Sequence, residues 1–437
     1  MKKQLWLYIA LCISSCLFLV FFIFYLMEKE QPYQWFTGMG EDIAISSDDS
    51  AIAFSYYVDG CRSIYTADPS GSIQGKVTKD KCAQEHAPAF SSDGNYILYL
   101  AEGDPLVSSL FLYSKEDREV TRVTGDSLHV RDAVFSREGD TVYFIGIKAE
   151  DWLAEEHEDA GGFDLYSVDL EDGELSKLTN RDDFLMNDLS ISSDSSSLLF
   201  TAYEDMEETI FLHSLKESDQ ETPSPLDNLP SGLYSPELSP DGEWFAYTTV
   251  TDLASEDIYT YELFLYNKES GQSQQLTDRG LNVDQPTFFN QDNQLAFLTQ
   301  KNWPETPASY KLETIHLDSG ETSQIHLDTY EIIENNWSVT LILDQIVNDY
   351  TTGSLYLLTI LFITYVLHQK NKRPIVAMLV SAGLGVIVYA TCYTAVYLYP
   401  WMSLSIFTVG VFLALSAIVA GTAAIFLEKY KQPPLSK

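Results

Sequence analysis

Polar and titratable side chains recur at two adjacent positions, spaced 45 to 56 residues apart, through the middle of this chain. The candidate binding residues there are Glu41, Asp42, His86, Arg131, Asp132, Asn187, Asp188, Tyr234 and Asp284, with Ala87, Ser235 and Gln285 in the remaining places. Gathered into one ring, such a mixture of acids with single basic and aromatic groups suits a cation or a small polar molecule. Because His86 alone is a typical nitrogen ligand, we predict no metal site.

The sequence contains none of the short motifs that mark common enzyme active sites. It has no Gly-x-Ser-x-Gly elbow, no His-Glu-x-x-His pair, no phosphate-binding glycine loop and no Cys-x-x-Cys pair. We therefore assign no catalytic residue and expect no cofactor. An enzyme that uses titratable groups clustered in the ring remains an alternative.

Each ring position belongs to a longer repeat, which is anchored on a polar turn residue six or seven positions further on. The anchors are Asp48, Asp93, Glu138, Asp194, Asp241 and Gln291. The residues three before and four after each anchor are apolar, and the residue six after it is aromatic. Positions four and six after the anchor share one face of a strand, so each repeat is expected to bury the same stripe.

The anchors lie in turns related to Ser-x-Asp-Gly, which join a first strand to a second. Asp93-Gly94 and Asp241-Gly242 keep the dipeptide, whereas the first and fourth copies replace the glycine with Asp49 and Ser195. A third strand follows, and a short fourth strand ends in Leu-Thr or Val-Thr, as at Leu178-Thr179. Four strands in each of six repeats predict an all-β six-bladed propeller with four-stranded blades. The ring residues are then expected at its central mouth.

The clearest copy of the motif is Ser235-Pro236-Glu237-Leu238-Ser239-Pro240-Asp241-Gly242. It resembles the repeats of the TolB-like propeller family, and the resemblance extends over residues 41–327. It implies a fold that serves as a binding platform or as an accessory domain of peptidases. This chain has no room for a peptidase domain beside the repeats.

Four apolar runs flank the repeats and predict four transmembrane α-helices, at Leu5–Met27, 351–368, 374–398 and 402–427. All eight Lys and Arg residues outside 28–350 then fall on one side, which the positive-inside rule assigns to the cytoplasm. We expect a multi-pass cell-membrane protein with an extracytoplasmic propeller and both termini cytoplasmic. Residues 13–16 also fit a lipoprotein cleavage box, but the apolar run continues beyond them and favours an uncleaved anchor.

These patterns divide the chain into five segments. They are an N-terminal anchor (1–27), a linker (28–40), the propeller (41–327), a juxtamembrane linker (328–350) and three helices with a short cytoplasmic tail (351–437). The second linker contains an apolar stretch, 337–347, that suits either a strand or an interfacial helix.

The segment 28–350 carries 63 of the 64 acidic residues of the chain. This excess excludes a nucleic-acid partner and favours cations or basic partners, although an extracellular surface adapted to salt is the plainer interpretation. Cys61 and Cys82 lie in connections that emerge on one face of the propeller, in an oxidising compartment. We therefore expect a disulfide between them rather than two free thiols.

Together these features predict a membrane-tethered, extracytoplasmic module that binds or scaffolds a ligand or an envelope protein. Two alternatives remain open. One is an enzyme that acts on an envelope polymer or peptide at the central mouth. The other is a subunit that senses or stabilises a membrane complex through its helices, whose interiors lack charged residues of the kind that ion-coupled transporters need.

Overall fold

The structure is a computed structural model that describes residues 2–78, 82–103, 106–154, 161–204, 207–216, 221–223, 232–254, 258–334, 339–398 and 400–429. The chain divides into two compact units. We call Trp35–Trp337 the repeat unit, and Met1–Gln34 together with Ser338–Lys437 the helical unit.

The described part of the repeat unit contains 24 strands, which follow one another as six antiparallel groups of four. Groups one and two are β1 Gly38–Ile45, β2 Ile52–Val58, β3 Cys61–Ala67, β4 Ile73–Lys76, β5 Glu85–Phe90, β6 Tyr96–Glu102, β7 Ser108–Ser114 and β8 Val120–Arg122. Groups three and four are β9 Leu128–Phe135, β10 Thr141–Lys148, β11 Asp164–Asp169, β12 Leu175–Lys177, β13 Met186–Ile191, β14 Ser197–Glu204, β15 Glu207–Ser214 and β16 Glu221–Pro223. Groups five and six are β17 Leu233–Leu238, β18 Trp244–Ala254, β19 Ile258–Asn267, β20 Gln272–Gln275, β21 Asn282–Phe288, β22 Gln294–Gln300, β23 Tyr310–His316 and β24 Thr322–Ile325. Short helices α2 (Ala149–Trp152) and α3 (Tyr330–Glu334) complete the unit.

The repeated apolar stripe forms the core of these groups. The six residues four positions after the anchors are fully buried, and they are Ile52, Ile97, Val142, Leu198, Phe245 and Leu295. The six aromatic residues two positions further on are at most 3% exposed, and they are Phe54, Tyr99, Phe144, Phe200, Tyr247 and Phe297. Burial of one such side chain contributes about 1.5–3 kcal/mol, so this stripe accounts for a large share of the driving force for folding.

The anchor residue holds its turn through side-chain hydrogen bonds. In the second group, Asp93 Oδ1 accepts hydrogen bonds from Ser91 Oγ at 2.6 Å and from the Asn95 backbone N–H at 3.0 Å. Gly94 follows with a φ of 70°, a conformation that favours glycine. The Ser-x-Asp-Gly pattern therefore specifies a hairpin with a fixed register.

The predicted architecture of six separate four-stranded blades with four transmembrane helices is wrong. The described strands form five sheets, because Tyr261 of β19 pairs in parallel with Asn282 of β21 and joins groups five and six into one eight-stranded sheet. Three described helices are long and apolar enough to cross a membrane, at Leu5–Met27, Tyr350–Gln369 and Val409–Lys429, and a further apolar stretch, Ile375–Thr391, is shorter. A sequence repeat specifies the local hairpins, whereas pairing between groups depends on how the hairpins pack.

The first strands of the six groups surround a common space. In chain order, β1, β5, β9, β13, β17 and β21 each contact the next, and β21 contacts β1. All the candidate ring residues lie on these six strands, so the fold brings together positions that are far apart in sequence.

The helical unit contains α1 (Lys2–Glu30), α4 (Val339–Ile346), α5 (Asp349–Gln369), α6 (Ile375–Leu398) and α7 (Pro400–Lys429). Within the apolar stretch 337–347, the residues Val339–Ile346 are thus helical, in α4. Helix α1 packs on α5, and α7 packs on α5 and α6. Buried Ser381 of α6 accepts a hydrogen bond from Tyr356 Oη and donates one to the Leu413 carbonyl, each at 3.0 Å, which joins α5, α6 and α7.

Candidate functional site

A cavity of about 1110 Å³ occupies the space between the first strands of the repeat unit. Every candidate binding residue lines it, namely Glu41, Asp42, His86, Arg131, Asp132, Asn187, Asp188, Tyr234 and Asp284. The lining continues from Ser92 and Arg137, beside the anchor turns, to Tyr203 and Trp303 at the other strand ends. The cavity therefore extends along the first strands, and its volume suits a small molecule or a short peptide segment.

Bulges in the first strands aim the ring residues into this cavity. The strand register shifts between His86 and Ala89, between Asn187 and Ser190, between Tyr234 and Glu237, and between Asp284 and Thr287. In each bulge one non-glycine residue has a positive φ near 50°, and these residues are Ala87, Asp188, Ser235 and Gln285. A bulge inserts an extra residue and redirects its neighbours, which explains why two adjacent positions can both line the cavity.

The described lining is strongly acidic. Eight carboxylic acids face two arginines, and the acids are Glu41, Asp42, Glu102, Asp132, Asp188, Glu208, Glu237 and Asp284. Backbone and hydroxyl donors hold several of them in place. Asp132 accepts the N–H of Ala133 at 2.8 Å and that of Leu189 at 2.7 Å. Such bonds fix the carboxyl groups in the wall, and each acid that ionises adds to a negative potential in the cavity.

Burial raises the pKa of several of these acids. Burial raises the pKa of Asp132 to about 6 and the pKa of Asp188 to about 8, and the charge of Asp132 adds to the second shift. Burial, followed by the charge of Asp42, raises the pKa of Glu41 to about 7 at the edge of the cavity. Burial also raises the pKa of Asp284, which accepts hydrogen bonds from Ser235 Oγ at 2.5 Å and from the Gln285 N–H at 2.8 Å. A cation in the cavity would favour the ionised form of each group.

The two basic side chains of the ring, Arg131 and His86, do not balance the charge of its acids. Arg131 Nε donates to Asn187 Oδ1 at 2.5 Å, and its guanidinium lies 5.5 Å from the centre of the Phe163 ring. Burial, followed by the charge of Arg62, lowers the pKa of His86, which favours the neutral imidazole. The ring thus combines a single fixed positive charge with several carboxylates.

The sequence analysis missed Glu237 and three aromatic residues of the lining. Glu237 lies four positions before its anchor, where the other repeats have Ala44, Ala89, Val134, Ser190 and Thr287. A glutamate at a place otherwise occupied by small or uncharged residues is a signal that was present in the sequence. Tyr203, Tyr261 and Trp303 also line the cavity, but they come from outside the first strands and carry no repeat signal.

The described residues contain no group of three or more His, Cys, Asp and Glu side chains arranged to hold a metal ion. The disulfide partners lie apart from the cavity lining. Cys61 Sγ and Cys82 Sγ are 2.18 Å apart and their Cα atoms 4.8 Å apart, which links β3 to the segment before β5. This bond ties group one to group two.

Comparison with solved structures finds similarity to proteins of several kinds. The chain is similar to TolB. The solved TolB from Acinetobacter baumannii shares 15% identity over 63% of this chain and 63% of its own, with a TM-score of 0.48. A putative TolB from Agrobacterium tumefaciens shares 17% identity over 57% of this chain and 83% of its own, with a TM-score of 0.44. An oligogalacturonate lyase in complex with manganese shares 14% identity over 63% of this chain and 90% of its own, with a TM-score of 0.44.

No family model and no curated protein matches the chain. The structural neighbours therefore include the TolB proteins that the repeats resemble, without showing membership of that family. They assign no activity to this chain, whose function must be argued from its own site.

Proposed function

We propose that this protein is a membrane-tethered binding module, which holds a ligand or a segment of an envelope protein in the acidic cavity of its repeat unit. One observation carries the proposal. The fold gathers nine polar residues from six first strands, spread over more than 240 residues of sequence, around one cavity of about 1110 Å³. Buried carboxylates are costly unless they are paired, so such a lining is expected where a partner occupies the space.

The repeat unit is proposed to lie outside the cytoplasm. Lys2 and Lys3 precede the first candidate span, and Lys370, Lys372 and Arg373 follow the second. The positive-inside rule assigns both groups to the cytoplasm, which puts the intervening repeat unit on the opposite side. Lys429 and Lys431 favour the cytoplasm for the C-terminus as well.

Photo-cross-linking in intact membranes tests the binding role. A photoreactive phenylalanine replaces Tyr203, which lines the cavity and is 45% exposed, or Leu175, which lies on the outer strand β12 and is 49% exposed. Mass spectrometry of the irradiated, full-length protein then identifies attached molecules. We expect an adduct at position 203 that is absent at position 175.

A cavity-filling variant supplies the matched control. Ala44→Trp and Ala89→Trp place bulk in the cavity from two adjacent first strands, whereas Leu175→Trp adds the same bulk outside it. The adduct at position 203 should disappear in the first two variants and persist in the third. An adduct that is insensitive to filling of the cavity, or the same adduct at both labelled positions, contradicts the proposal.

A second candidate function is acid–base catalysis in the same cavity. The observation that favours it is that burial raises the pKa of both Asp188 and Glu237 to about 8, close to the range in which a general acid or base is most effective. Chemical change of the cross-linked molecule in the wild type, and its absence in Asp188→Asn, would favour an enzyme over a binding module.

A further inference from the structure

Three aromatic side chains form a continuous wall on one side of the cavity. The ring centres of Tyr234 and Tyr261 are 5.5 Å apart at an interplanar angle of 79°, and those of Tyr261 and Trp303 are 5.9 Å apart at 88°. All three residues line the cavity. Edge-to-face contacts of this kind hold the three rings in fixed relative orientations.

The wall is held by the junction that joins groups five and six. Tyr261 donates its backbone N–H to the Leu281 carbonyl at 2.9 Å and pairs in parallel with Asn282. Trp303 Nε1 donates to the Tyr259 carbonyl at 2.8 Å, which fixes the indole against the same strand. The rings are therefore positioned by backbone contacts before any ligand arrives.

One bulge places an acid beside this wall. The register shift in β17 lies between Tyr234 and Glu237, and both side chains line the cavity. Within the described part of the chain the Glu237 carboxylate has no hydrogen-bond or ion-pair partner, and the residue is partly buried in the cavity wall. Burial, followed by the charges of Asp132 and Asp188, raises its pKa to about 8. The carboxylate thus lines the cavity without a counter-charge.

We propose that the cavity binds an alkylammonium group, with Glu237 and Asp188 supplying the opposite charge and Tyr234, Tyr261 and Trp303 supplying ring faces. The inference rests on the proposed binding function and specifies its ligand class. A cation whose charge is spread over methyl or methylene groups gains from aromatic faces and from carboxylates at once. A bare metal ion needs converging oxygen or nitrogen ligands, which the described residues do not assemble, and it would fill only a small part of the space.

Ligand-induced stabilisation of the full-length protein in detergent tests the ligand class. The probes are choline and its neutral isostere 3,3-dimethylbutan-1-ol, butylammonium and its neutral isostere pentan-1-ol, and manganese chloride, all at constant ionic strength. We expect choline or butylammonium, at concentrations up to about 10 mM, to raise the thermal midpoint, because millimolar affinity already shifts it. The neutral isosteres and manganese should not. Preference for choline indicates a quaternary ammonium ligand, and preference for butylammonium indicates a primary amine such as a lysine side chain.

Paired variants measure separately what the aromatic rings and the carboxylates contribute to binding. Tyr261→Leu should weaken binding about fivefold or more, while Tyr261→Phe keeps the ring face and the affinity. Glu237→Gln should weaken binding at least about tenfold, because it removes a charge without changing the shape. Tyr96→Leu, at an exposed position of β6 outside the cavity lining, should bind as the wild type does. The midpoint of each variant without ligand shows whether it is folded.

The outcomes distinguish this inference from the function on which it rests. The cross-linking experiment responds to occupancy of the cavity, whatever the charge of the occupant. A cavity-dependent adduct that is neutral or anionic keeps the binding function and overturns the ammonium site. Equal stabilisation by a probe and its neutral isostere, stabilisation by manganese, or no stabilisation by either ammonium probe overturns it as well.

Discussion

The carboxylate of Asp49 accepts the backbone N–H of Asn290 at 2.7 Å, a contact between the first and last strand groups of the repeat unit. The same carboxylate accepts the N–H groups of Gln291 at 2.7 Å and Asp292 at 3.1 Å. Asp49 occupies the turn position where groups two, three and five have glycine, and its φ is 56°. The departure from the repeat pattern is thus explained by a contact across 241 residues of sequence.

Asp49→Gly should lower the free energy of unfolding by about 2 kcal/mol, because three hydrogen bonds to a charged group are lost while the backbone strain is relieved. Thermal or denaturant unfolding of the solubilised protein measures the loss. Ser195→Gly is the matched control, since Ser195 has a φ of 55° at the same turn position of group four. This control should be neutral or slightly stabilising. Equal effects of the two substitutions would show that the Asp49 contacts contribute nothing.

Thr179→Val should destabilise the third group by about 1–3 kcal/mol. Thr179 Oγ1 donates to buried Asp164 at 2.8 Å and accepts the Leu165 N–H at 3.0 Å, so valine leaves both partners short of a hydrogen bond. Thr179→Ser keeps the hydroxyl and should retain most of the stability. Thermal or denaturant unfolding midpoints compare the stability of the two variants. If Thr179→Ser were as unstable as Thr179→Val, packing of the threonine methyl group, and not the hydroxyl hydrogen bonds, would account for the loss.

Glu237→Gln should stabilise the protein at pH 8.5 but not at pH 4.5. Burial raises the pKa of Glu237 from 4.5 to about 8, so between these values the folded protein binds more protons than the unfolded chain. Stability contributed by the protonated acid is therefore lost as the pH rises through this window. The expected gain at pH 8.5 is about 2–5 °C in thermal midpoint. Exposed Glu243→Gln is the control, and a gain of the same size at both pH values would reject the assignment to ionisation.

The disulfide between Cys61 and Cys82 should protect both cysteines from thiol labelling in the unreduced protein. In a full-length variant with serine at positions 12, 16 and 392, we expect no labelling before reduction and two labels after it. Cys61→Ser should expose a free thiol at position 82 and lower stability by about 3 kcal/mol, as expected for a loop closed over 21 residues. Two labels on the unreduced, folded protein would contradict the bond.

Membrane topology can be tested with single cysteines on intact cells. Glu171, on the repeat unit, and Asn371, after the second candidate span, are both exposed. A membrane-impermeant maleimide should label Glu171→Cys on intact cells and Asn371→Cys only after permeabilisation, in a background without the cysteines at 12, 16 and 392. The reverse pattern would place the repeat unit in the cytoplasm.

The sequence by itself determined the hairpins, their buried stripe and nine of the residues that line the cavity. Each of these depends on local rules: the alternation of residues in a strand, as at Phe245 and Tyr247, and the turn preference of Asp93-Gly94. The repeat then carried the ring residues to equivalent places, so Asp188 and Asp284 could be nominated without knowledge of the structure. Glu237 could have been found by the same alignment, as an acid among small side chains.

Only the tertiary structure decided how the strand groups join and what surrounds the ring. The parallel pairing of Tyr261 with Asn282 makes five sheets of six groups and positions the aromatic wall, and no repeat position encodes it. The raised pKa of Glu237 likewise depends on burial by its surroundings and on acids from two other strands. Contacts between groups depend on the packing of residues distant in sequence, and the energy of a buried charge depends on everything around it. Neither can be read from a local pattern.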